Sequence, residues 1–250
     1  KEQCQTIFKE HKITHVIHLA AMAGVRPSIE HPELYFDVNI NGTLNILECC
    51  KTYQIKKCLL ASSSSVYGNN KKVPFSESDP VDHPISPYAA SKKANEVMAH
   101  TYYHLYHIPM VCLRFFTVYG PRQRPEMAIH KFTKMIDQGQ EIPVFNHGNC
   151  LRDYTYIQDI VLGIKNILLS AFDYDVVNIG ESQTISTLDL IQLIEKKLGK
   201  KAILKLLPAQ PGDVDTTYAD ITKIKTRYHY EPKTTIEDGV TKFIEWYHSQ

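Results

Sequence analysis

The sequence predicts an α/β protein whose strands form a parallel sheet. Three short apolar runs, residues 15–20, 57–61 and 110–115, have the composition of buried strands. Segments with helical spacing of apolar residues separate them, and no hairpin signal lies between them. Because this alternation is typical of βαβ units, the three strands are predicted to lie side by side and parallel.

The other elements of the first half follow from local pattern. Residues 1–12 have the pattern of the end of a helix, and residues 34–50 carry apolar side chains at helical spacing after a turn around Pro27 and Pro32. Residues 69–87 contain four prolines and many polar residues, which predicts a loop. Since Pro87 suits the first turn of a helix, a helix is predicted from Tyr88 to about His107.

From residue 120 onward the pattern predicts more loops and shorter elements. The predicted elements are helices near 126–138, 158–169, 187–198, 221–228 and 236–247, and strands at 142–145, 175–179 and 202–207. Thr184 or Ser186 is expected to cap the helix that begins at residue 187, and Gly199 is expected to end it.

Composition and charge narrow the class of protein. Hydrophobic residues make up 43% and charged residues 22%, and the formal net charge of +1 gives no reason to expect nucleic acid or a membrane as a partner. No apolar run approaches the roughly 18 residues of a membrane helix. The six cysteines show no metal-binding spacing, so free thiols in a reducing cytoplasm and no metal site are predicted.

The clearest chemical signal is Tyr88 with Lys92, read together with the four serines at 62–65 that follow a predicted strand. Tyr88 and Lys92 are four residues apart, so in a helix both side chains leave the same face. An ammonium favours the phenolate and a nearby hydroxyl can share the proton, which would make Tyr88 a base for a sugar hydroxyl. Taken alone, the signal is weak, because this spacing occurs by chance in many helices, and a half-buried tyrosine with a solvated lysine is the commoner case.

Five ordered motifs resemble those of the extended short-chain dehydrogenases, the NAD-dependent epimerases and dehydratases of nucleotide sugars. The motifs are residues 18–21 (HLAA), 39–43 (NINGT), 62–68 (SSSSVYG), 88–92 (YAASK) and 114–121 (RFFTVYGP). Within that family, residues 23–29, 120–129, 144–148 and 210–213 resemble most the UDP-glucuronate 4-epimerases. The likeness extends over essentially the whole chain.

The resemblance implies a fold and a domain division. The expected fold is a doubly wound parallel Rossmann-type sheet with a smaller C-terminal α/β substrate domain. Residues 1–119 are expected to be the remainder of the NAD-binding domain, with 151–180 returning to it, and residues 120–250 to bind the nucleotide sugar. The first strands and glycine-rich turn of such a domain are not recognised in the sequence, so the chain is expected to be an N-terminally truncated epimerase.

The resemblance also implies catalytic and cofactor roles. Tyr88 is expected to remove the C4 hydroxyl proton while hydride passes to NAD, Lys92 to hold the nicotinamide ribose and lower the pKa of Tyr88, and Ser63 to bond the C4 oxygen. NAD is regenerated in each cycle and acts as a catalyst. Further cofactor contacts are expected from Leu19, Ala20, Ala21, Asn39, Ser62 and Phe115, whereas His18 is expected to be a packed strand histidine.

Substrate contacts are implied mainly in the second half of the chain. The candidates for a carboxylate pocket are Ser64, Ser65, Thr117 and Arg124, because a guanidinium is the natural partner of a carboxylate. The alternative for Arg124 is a surface arginine with no role at the carboxylate. Arg152 is expected at the diphosphate, and its alternative is an ion pair with Asp153. Phe145 is expected by the uracil, and its alternative is a simple core residue. The other expected substrate residues are Arg26, Ala128, Ile129, Val144, Gln210 and Asp213, the last at the uridine ribose.

The activity implied is epimerisation at C4 of UDP-glucuronate to UDP-galacturonate, through a 4-keto sugar and tightly bound NAD. A UDP-N-acetylglucosamine or UDP-glucose 4-epimerase and a UDP-glucuronate decarboxylase remain open, as does a non-catalytic module that binds a nucleotide sugar. The fragment itself is expected to be impaired in activity. The full-length form is expected to be a cytoplasmic homodimer.

Overall fold

The computed structural model describes residues 1–209 and 216–250, which contain both helices and strands. The helices are α1 (Glu2–Glu10), α2 (Val25–Glu30), α3 (Pro32–Phe36), α4 (Gly42–Thr52), α5 (Pro87–Tyr106), α6 (Ala128–Asp137), α7 (Ile157–Leu169), α8 (Thr187–Leu198), α9 (Thr222–Tyr228) and α10 (Ile236–His248). The strands are β1 (His15–His18), β2 (Lys57–Ala61), β3 (Met110–Phe115), β4 (Thr117–Tyr119), β5 (Glu141–Val144), β6 (Leu151–Tyr156), β7 (Tyr174–Ile179), β8 (Thr184–Ser186), β9 (Ile203–Leu206) and β10 (Thr216–Thr217).

Four strands form the main sheet in the order β1, β2, β3, β7, and every neighbouring pair is parallel. The predicted α/β fold with a parallel Rossmann-type sheet is therefore confirmed. In a second sheet β10, β6 and β4 are parallel and β8 runs antiparallel to β6. A parallel pair, β5 with β9, completes the sheets of the described residues.

Alternation of side chains along β2 and β3 divides the core between the two faces of the main sheet. Leu59 and Val111 pack into one hydrophobic cluster with α7 and α9, whereas Cys58 and Cys112 pack into another with α4 and α5. All four side chains are at most 1% exposed. Because a slip of one residue would exchange the two faces, this burial fixes the register and hence the position of the carboxyl ends of the strands.

A third hydrophobic cluster lies between α6, α8 and α10, with Ile129, Leu190 and Phe243 fully buried. The domain division expected from the sequence stays a prediction. β7 joins the main sheet, as the expected return of residues 151–180 requires. Helix α9 also packs on the main sheet, although it lies outside that range.

Two local predictions are wrong, and one is refined. Residues 34–50 are helical as predicted, but a π-helical turn, Asp37–Asn41, separates α3 from α4. The segment around Pro27 is helix α2 rather than a turn, since a proline in the first helical turn loses no hydrogen bond. The first strand is not fully buried: Ile17 is 41% exposed, because β1 lies at the edge of the main sheet as far as the chain is described.

The two helix starts predicted from capping residues are confirmed. The Ser86 hydroxyl accepts a hydrogen bond from the backbone N–H of Ala89 at 3.1 Å, and Pro87 is the first residue of α5. Ser186 caps α8 in the same way, and Gly199 ends that helix in the left-handed conformation, with φ of 65°. The first turn of α5 is thereby fixed at the end of the loop that precedes it.

Candidate active site

A cavity of about 510 Å³ opens at the carboxyl ends of β1, β2 and β3. This is the edge of a parallel sheet at which ligands bind. The predicted site residues that line it are Leu19, Ala21, Ser62, Ser63, Ser64, Ser65, Tyr88, Lys92, Phe115, Thr117 and Arg124. The three predicted catalytic residues therefore meet in one cavity, together with candidates for both cofactor and substrate contacts.

The serines form a tight turn directly after β2. Ser64–Tyr67 is a 3₁₀ helix, and the Ser63 hydroxyl caps it by accepting a hydrogen bond from the backbone N–H of Ser65 at 3.1 Å. We call residues 62–67 the serine turn. The Ser62 hydroxyl donates to the Glu96 carboxylate at 2.6 Å, so its proton is engaged in the protein core. The Ser63 hydroxyl donates to the Ser65 hydroxyl at 3.2 Å and lies within hydrogen-bonding reach of Tyr88.

Tyr88 lies in the first turn of α5, with its ring edge to face against Tyr35 at a centroid distance of 6.3 Å. Burial raises the pKa of Tyr88 above its usual value, and the Ser63 hydroxyl and the charge of Arg124 lower it by less. The expectation that Lys92 lowers this pKa stays a prediction. The desolvation of the phenolate is the larger effect, and the opposing charge is that of Arg124.

Lys92 is 4% exposed, and its ammonium donates a hydrogen bond to the Ala61 carbonyl at 2.8 Å. The Lys92 Nζ lies 5.9 Å from the centroid of the Tyr88 ring. Burial lowers the pKa of Lys92 to about 8, which leaves the side chain mainly protonated at neutral pH. Burial, followed by the charge of Lys92, lowers the pKa of His18 to about 4, so His18 is neutral beside Thr43.

Arg124 was interpreted either as a residue of the carboxylate pocket or as a surface arginine. It lines the cavity and is also 51% exposed, so features of both interpretations are present. Its guanidinium forms an ion pair with the Glu126 carboxylate at 3.0 Å. Burial raises the pKa of both Tyr88 and Tyr35, and the positive charge of Arg124 opposes that rise. Its charge therefore already acts on the proposed base.

Asn39 shapes the cavity through the loop after β1. The buried side-chain amide accepts a hydrogen bond from the Met22 N–H at 2.8 Å, and donates to the Met22 carbonyl at 3.0 Å and to the Ser91 hydroxyl at 2.9 Å. These bonds occupy both amide hydrogens. The amide thereby ties the cavity-lining loop to helix α5, and the expectation that Asn39 faces NAD stays a prediction.

Tyr35 is a site residue that the sequence interpretation missed. Its hydroxyl donates to the Ala23 carbonyl at 3.0 Å, and its ring supports Tyr88. Gly24, with φ of 118°, turns the same loop at the cavity wall. The isolated glycine after a strand was the one available signal for this loop, whereas nothing in the sequence distinguished Tyr35 from a helix residue. The lining residues that were not in the expected set are Ala23, Gly24, Val25, Ala61, Phe116, Val118, Arg122, Gln123 and Met127.

The other expected site residues do not line this cavity. Arg26 and Phe145 lie together, with the guanidinium carbon 5.1 Å from the ring centroid. Ile129 and Val144 are at most 1% exposed, so their side chains belong to the core.

Ala20, Ala128 and Arg152 also lie outside the cavity wall, and Arg152 donates to the Leu151 carbonyl at 2.9 Å. Asp153 is hydrogen-bonded to backbone N–H groups, and Gln210 and Asp213 lie outside the described residues.

No group of three or more His, Cys, Asp or Glu side chains in ranges 1–209 and 216–250 is arranged to hold a metal ion. No helix in the described part of the chain is long and apolar enough to cross a membrane.

A parallel sheet with Ser63, Tyr88 and Lys92 at its carboxyl edge defines the class of the epimerases and dehydratases predicted from the motifs. The sequence profile of the GDP-mannose 4,6 dehydratase family matches residues 1–243. The chain belongs to this family, and the predicted family is confirmed.

Relatives within the family carry UDP-sugar epimerase names. A UDP-glucuronate 4-epimerase of Thermodesulfobacterium geofontis is 44% identical over 243 residues, covering 97% of this chain and 75% of that protein. The crystal structure of UDP-glucuronic acid 4-epimerase from Bacillus cereus, in complex with UDP-glucuronic acid and NAD, is 36% identical with a TM-score of 0.91, covering 98% of this chain and 78% of that one. UDP-glucose 4-epimerase from Thermotoga maritima, with UDP-glucose, is 32% identical with a TM-score of 0.93, covering 99% and 81%.

Proposed function

We propose that this chain catalyses epimerisation at C4 of a UDP-sugar with NAD as cofactor, and that UDP-glucuronate is its substrate. The observation that carries the proposal is the convergence of Ser63, Tyr88 and Lys92 on one cavity at the carboxyl edge of the main sheet. The relatives and solved neighbours support it, since they include UDP-glucuronate 4-epimerases.

Tyr88 acts as the group that takes and returns the C4 hydroxyl proton. Because burial raises its pKa, the phenol is protonated near neutral pH in this structure, and positive charge is needed to make it a base. Arg124 already supplies such charge, and the Lys92 ammonium lies 5.9 Å from the ring. The Ser63 hydroxyl, beside the phenol, is placed to hold the C4 oxygen and share the proton.

The residues on the other side of the cavity fit NAD. The Lys92 ammonium has three hydrogens, of which the Ala61 carbonyl accepts one, so donors remain for ribose hydroxyls. The loop after β1 lines the cavity with the small residues Ala21, Ala23 and Gly24. Small residues allow the nicotinamide ring to approach the backbone closely. NAD, when bound, would accept hydride from C4 and return it to the opposite face of the sugar.

Arg124 favours a uronic acid over a neutral sugar. Its guanidinium lies at the cavity and is accessible, and a carboxylate is the anion it binds best in bidentate fashion. Ser64, Ser65 and Thr117 line the same cavity and offer hydroxyls to the carboxylate. A 4-keto uronate is a β-keto acid, so a carboxylate held in the plane of the ketone keeps its CO₂. This contact would separate an epimerase from a decarboxylase.

The decisive experiment uses UDP-glucuronate deuterated at C4. We expect UDP-galacturonate that retains the deuterium, with no net NADH, because the label leaves and returns within one site. Mass spectrometry of small molecules released by denaturation tests for NAD. A UDP-pentose with loss of CO₂ would identify a decarboxylase, and loss of the label to solvent would contradict the mechanism. The Tyr88→Phe chain is the control for contaminating epimerase.

Two alternatives are decided by the same preparation. A UDP-hexose or UDP-N-acetylhexosamine epimerase would convert UDP-glucose or UDP-N-acetylglucosamine faster than UDP-glucuronate; a solved neighbour that binds UDP-glucose is the observation that keeps this candidate. A non-catalytic module would bind UDP-glucuronate in a calorimetric titration and yield no epimerised product.

The homodimer expected of the full-length form and the cytoplasmic location are also proposals. Helix α5 exposes Val97 and Leu105, which are 55% and 57% exposed and lie eight residues apart on one side of the helix. Such apolar side chains suit a helix-to-helix contact between two copies. One chain has a mass of 28.6 kDa, and sedimentation velocity should give twice that value. A monomer at all concentrations would contradict the proposal.

A further inference from the structure

A buried ion pair lies directly beneath the serine turn. Glu96 of α5 and Arg114 of β3 are each 4% exposed in their side chains. Arg114 donates two parallel hydrogen bonds to the Glu96 carboxylate, from Nε and Nη2, both at 2.9 Å. Removing two charges from water costs several kcal/mol per ion, so a buried pair is weak evidence for stability alone. Its other contacts show what else the pair does.

The pair forms hydrogen bonds with the serine turn at both ends. The Ser62 hydroxyl donates to the Glu96 carboxylate at 2.6 Å, at the start of the turn. At the end of the turn, Arg114 Nη1 donates to the Tyr67 hydroxyl at 2.9 Å, and the guanidinium carbon lies 4.8 Å from the centroid of the Tyr67 ring. The Tyr67 hydroxyl in turn donates to the Asn178 side chain at 2.6 Å. Ser63, Ser64 and Ser65 lie between these anchors and line the cavity.

Glu96 also belongs to the helix that carries the proposed base. It lies four residues after Lys92 and eight after Tyr88, all within α5. The same helix therefore presents the phenol and the ammonium to the cavity and, through Glu96, anchors the turn that presents Ser63. Movement of the turn relative to Tyr88 requires breaking a bond to this helix.

We propose that Glu96 and Arg114 are positioning residues, which hold the serine turn so that Ser63 faces Tyr88 at a fixed distance. Ser62 and Tyr67 transmit this hold, because each bonds one member of the ion pair. The catalytic consequence rests on the function proposed above, whereas the hold on the turn is a property of the chain itself. A pair that served stability alone would not affect Ser63 more than any other buried contact does.

The test compares Tyr67→Phe with Tyr228→Phe. Both tyrosines are buried, both lie under an arginine, and both donate to a residue of β7: Tyr67 to Asn178 and Tyr228 to Asp175 at 2.8 Å. Tyr228 does not line the cavity. Ser62→Ala releases the other end of the turn and serves as a second variant if Tyr67→Phe folds poorly. Amide hydrogen exchange of residues 62–68 and steady-state kinetics with UDP-glucuronate are measured on each chain.

Exchange in residues 62–68 should accelerate in Tyr67→Phe and Ser62→Ala and stay unchanged in Tyr228→Phe. The value of kcat should fall about 10- to 100-fold in the first two variants, with KM within about twofold, as expected for a misplaced catalytic group. Unchanged exchange in both variants, or an equal fall of kcat in Tyr228→Phe, would overturn the proposal. If the unmodified chain yields no epimerised product, the proposed function fails and the exchange data still decide the hold on the turn.

Discussion

Helix α5 and the loop at residues 120–127 build two sides of one cavity in contrasting ways. The helix is capped at its start by Ser86, and its Lys92 is 4% exposed. The loop carries Arg124, which is 51% exposed and paired with an exposed glutamate. Its backbone adopts left-handed conformations at Gly120 and Arg122, with φ of 143° and 66°. One side is packed into the core, and the other is held mainly by surface contacts.

The difference suggests a division of labour. Proton transfer requires distances that stay constant through turnover, and a buried helix provides them. Under the proposed function, choice between a uronic acid and a neutral sugar depends on a charged group at the substrate, and the exposed Arg124 is the candidate. We therefore expect substitutions on α5 to reduce turnover for every substrate, and substitutions in the loop to change the preference among substrates.

Replacing Tyr88 with Phe should have the largest effect. The ring still packs against Tyr35, so folding is preserved, but the proton acceptor is lost and kcat should fall by about 10²- to 10⁴-fold. The fall should be the same for UDP-glucuronate and any other UDP-sugar the chain accepts. Tyr106→Phe, at the exposed end of the same helix, is the matched control. Retained activity in Tyr88→Phe would remove Tyr88 from the mechanism.

Replacing Arg124 with Ala should affect the substrates unequally. A charge-assisted hydrogen bond contributes about 1.5–3 kcal/mol, so kcat/KM for UDP-glucuronate should fall about 10- to 100-fold. The value for UDP-glucose should fall less, because that sugar has no carboxylate and loses only the effect of the Arg124 charge on Tyr88. Steady-state kinetics with both sugars give the ratio. Glu126→Gln is the control, since it removes the ion-pair partner of Arg124 and leaves the arginine in place. Equal losses for both sugars would contradict the division of labour.

The pH dependence of Lys92 separates catalysis from stability. Burial lowers the pKa of Lys92 from 10.5 to about 8, so the ammonium is lost above that pH, and the rate should fall about tenfold per pH unit there. Between the two values the unfolded chain binds the proton and the folded chain does not, so the Lys92 contribution to stability rises with pH. As the pH rises, activity should therefore fall while the contribution of Lys92 to the free energy of unfolding increases.

Two measurements check this prediction. The pH profile of kcat should show an alkaline limb near the lowered pKa, and in Lys92→Arg the limb should move to higher pH, because a guanidinium keeps its charge. In denaturant unfolding, the free energies of unfolding of the unmodified chain and of Lys92→Met should differ least at the highest pH. An alkaline limb that is identical in Lys92→Arg would show that another group is titrating.

The sequence predicted the parts of the site that depend on local pattern. Strand β3 was predicted to the residue, and Pro87 correctly marked the start of the helix that presents Tyr88 and Lys92. The serines at 62–65 were expected at the carboxyl end of a parallel strand, which is where β2 delivers them. Periodicity and helix starts are encoded within a few residues, so they are visible without tertiary structure.

Features that depend on distant packing were not visible. Tyr35 reaches Tyr88 from another helix, and Asn39 reaches Met22 from a π-helical turn that no apolar spacing indicated. The direction of the Tyr88 pKa was expected to be downward, from the adjacent lysine, and the structure gives an upward direction, because burial of the phenol is set by tertiary contacts. The anchoring of the serine turn by Glu96 is of the same kind.

The smallest effect should come from the cap of α5, and it tests whether the helix start matters for more than stability. Ser86→Ala and Ser186→Ala remove equivalent caps, with N–H to hydroxyl distances of 3.1 and 3.0 Å, and each should cost about 1 kcal/mol. For a chain of this size that lowers Tm by about 2–4 °C. Ser86→Ala should also lower kcat about threefold, because fraying moves Tyr88, whereas Ser186→Ala should not. Thermal unfolding and kinetics of the two variants at equal Tm loss decide the matter: the same kcat in both would mean that α5 is held by its packing, and that its first turn needs no cap to keep Tyr88 in place.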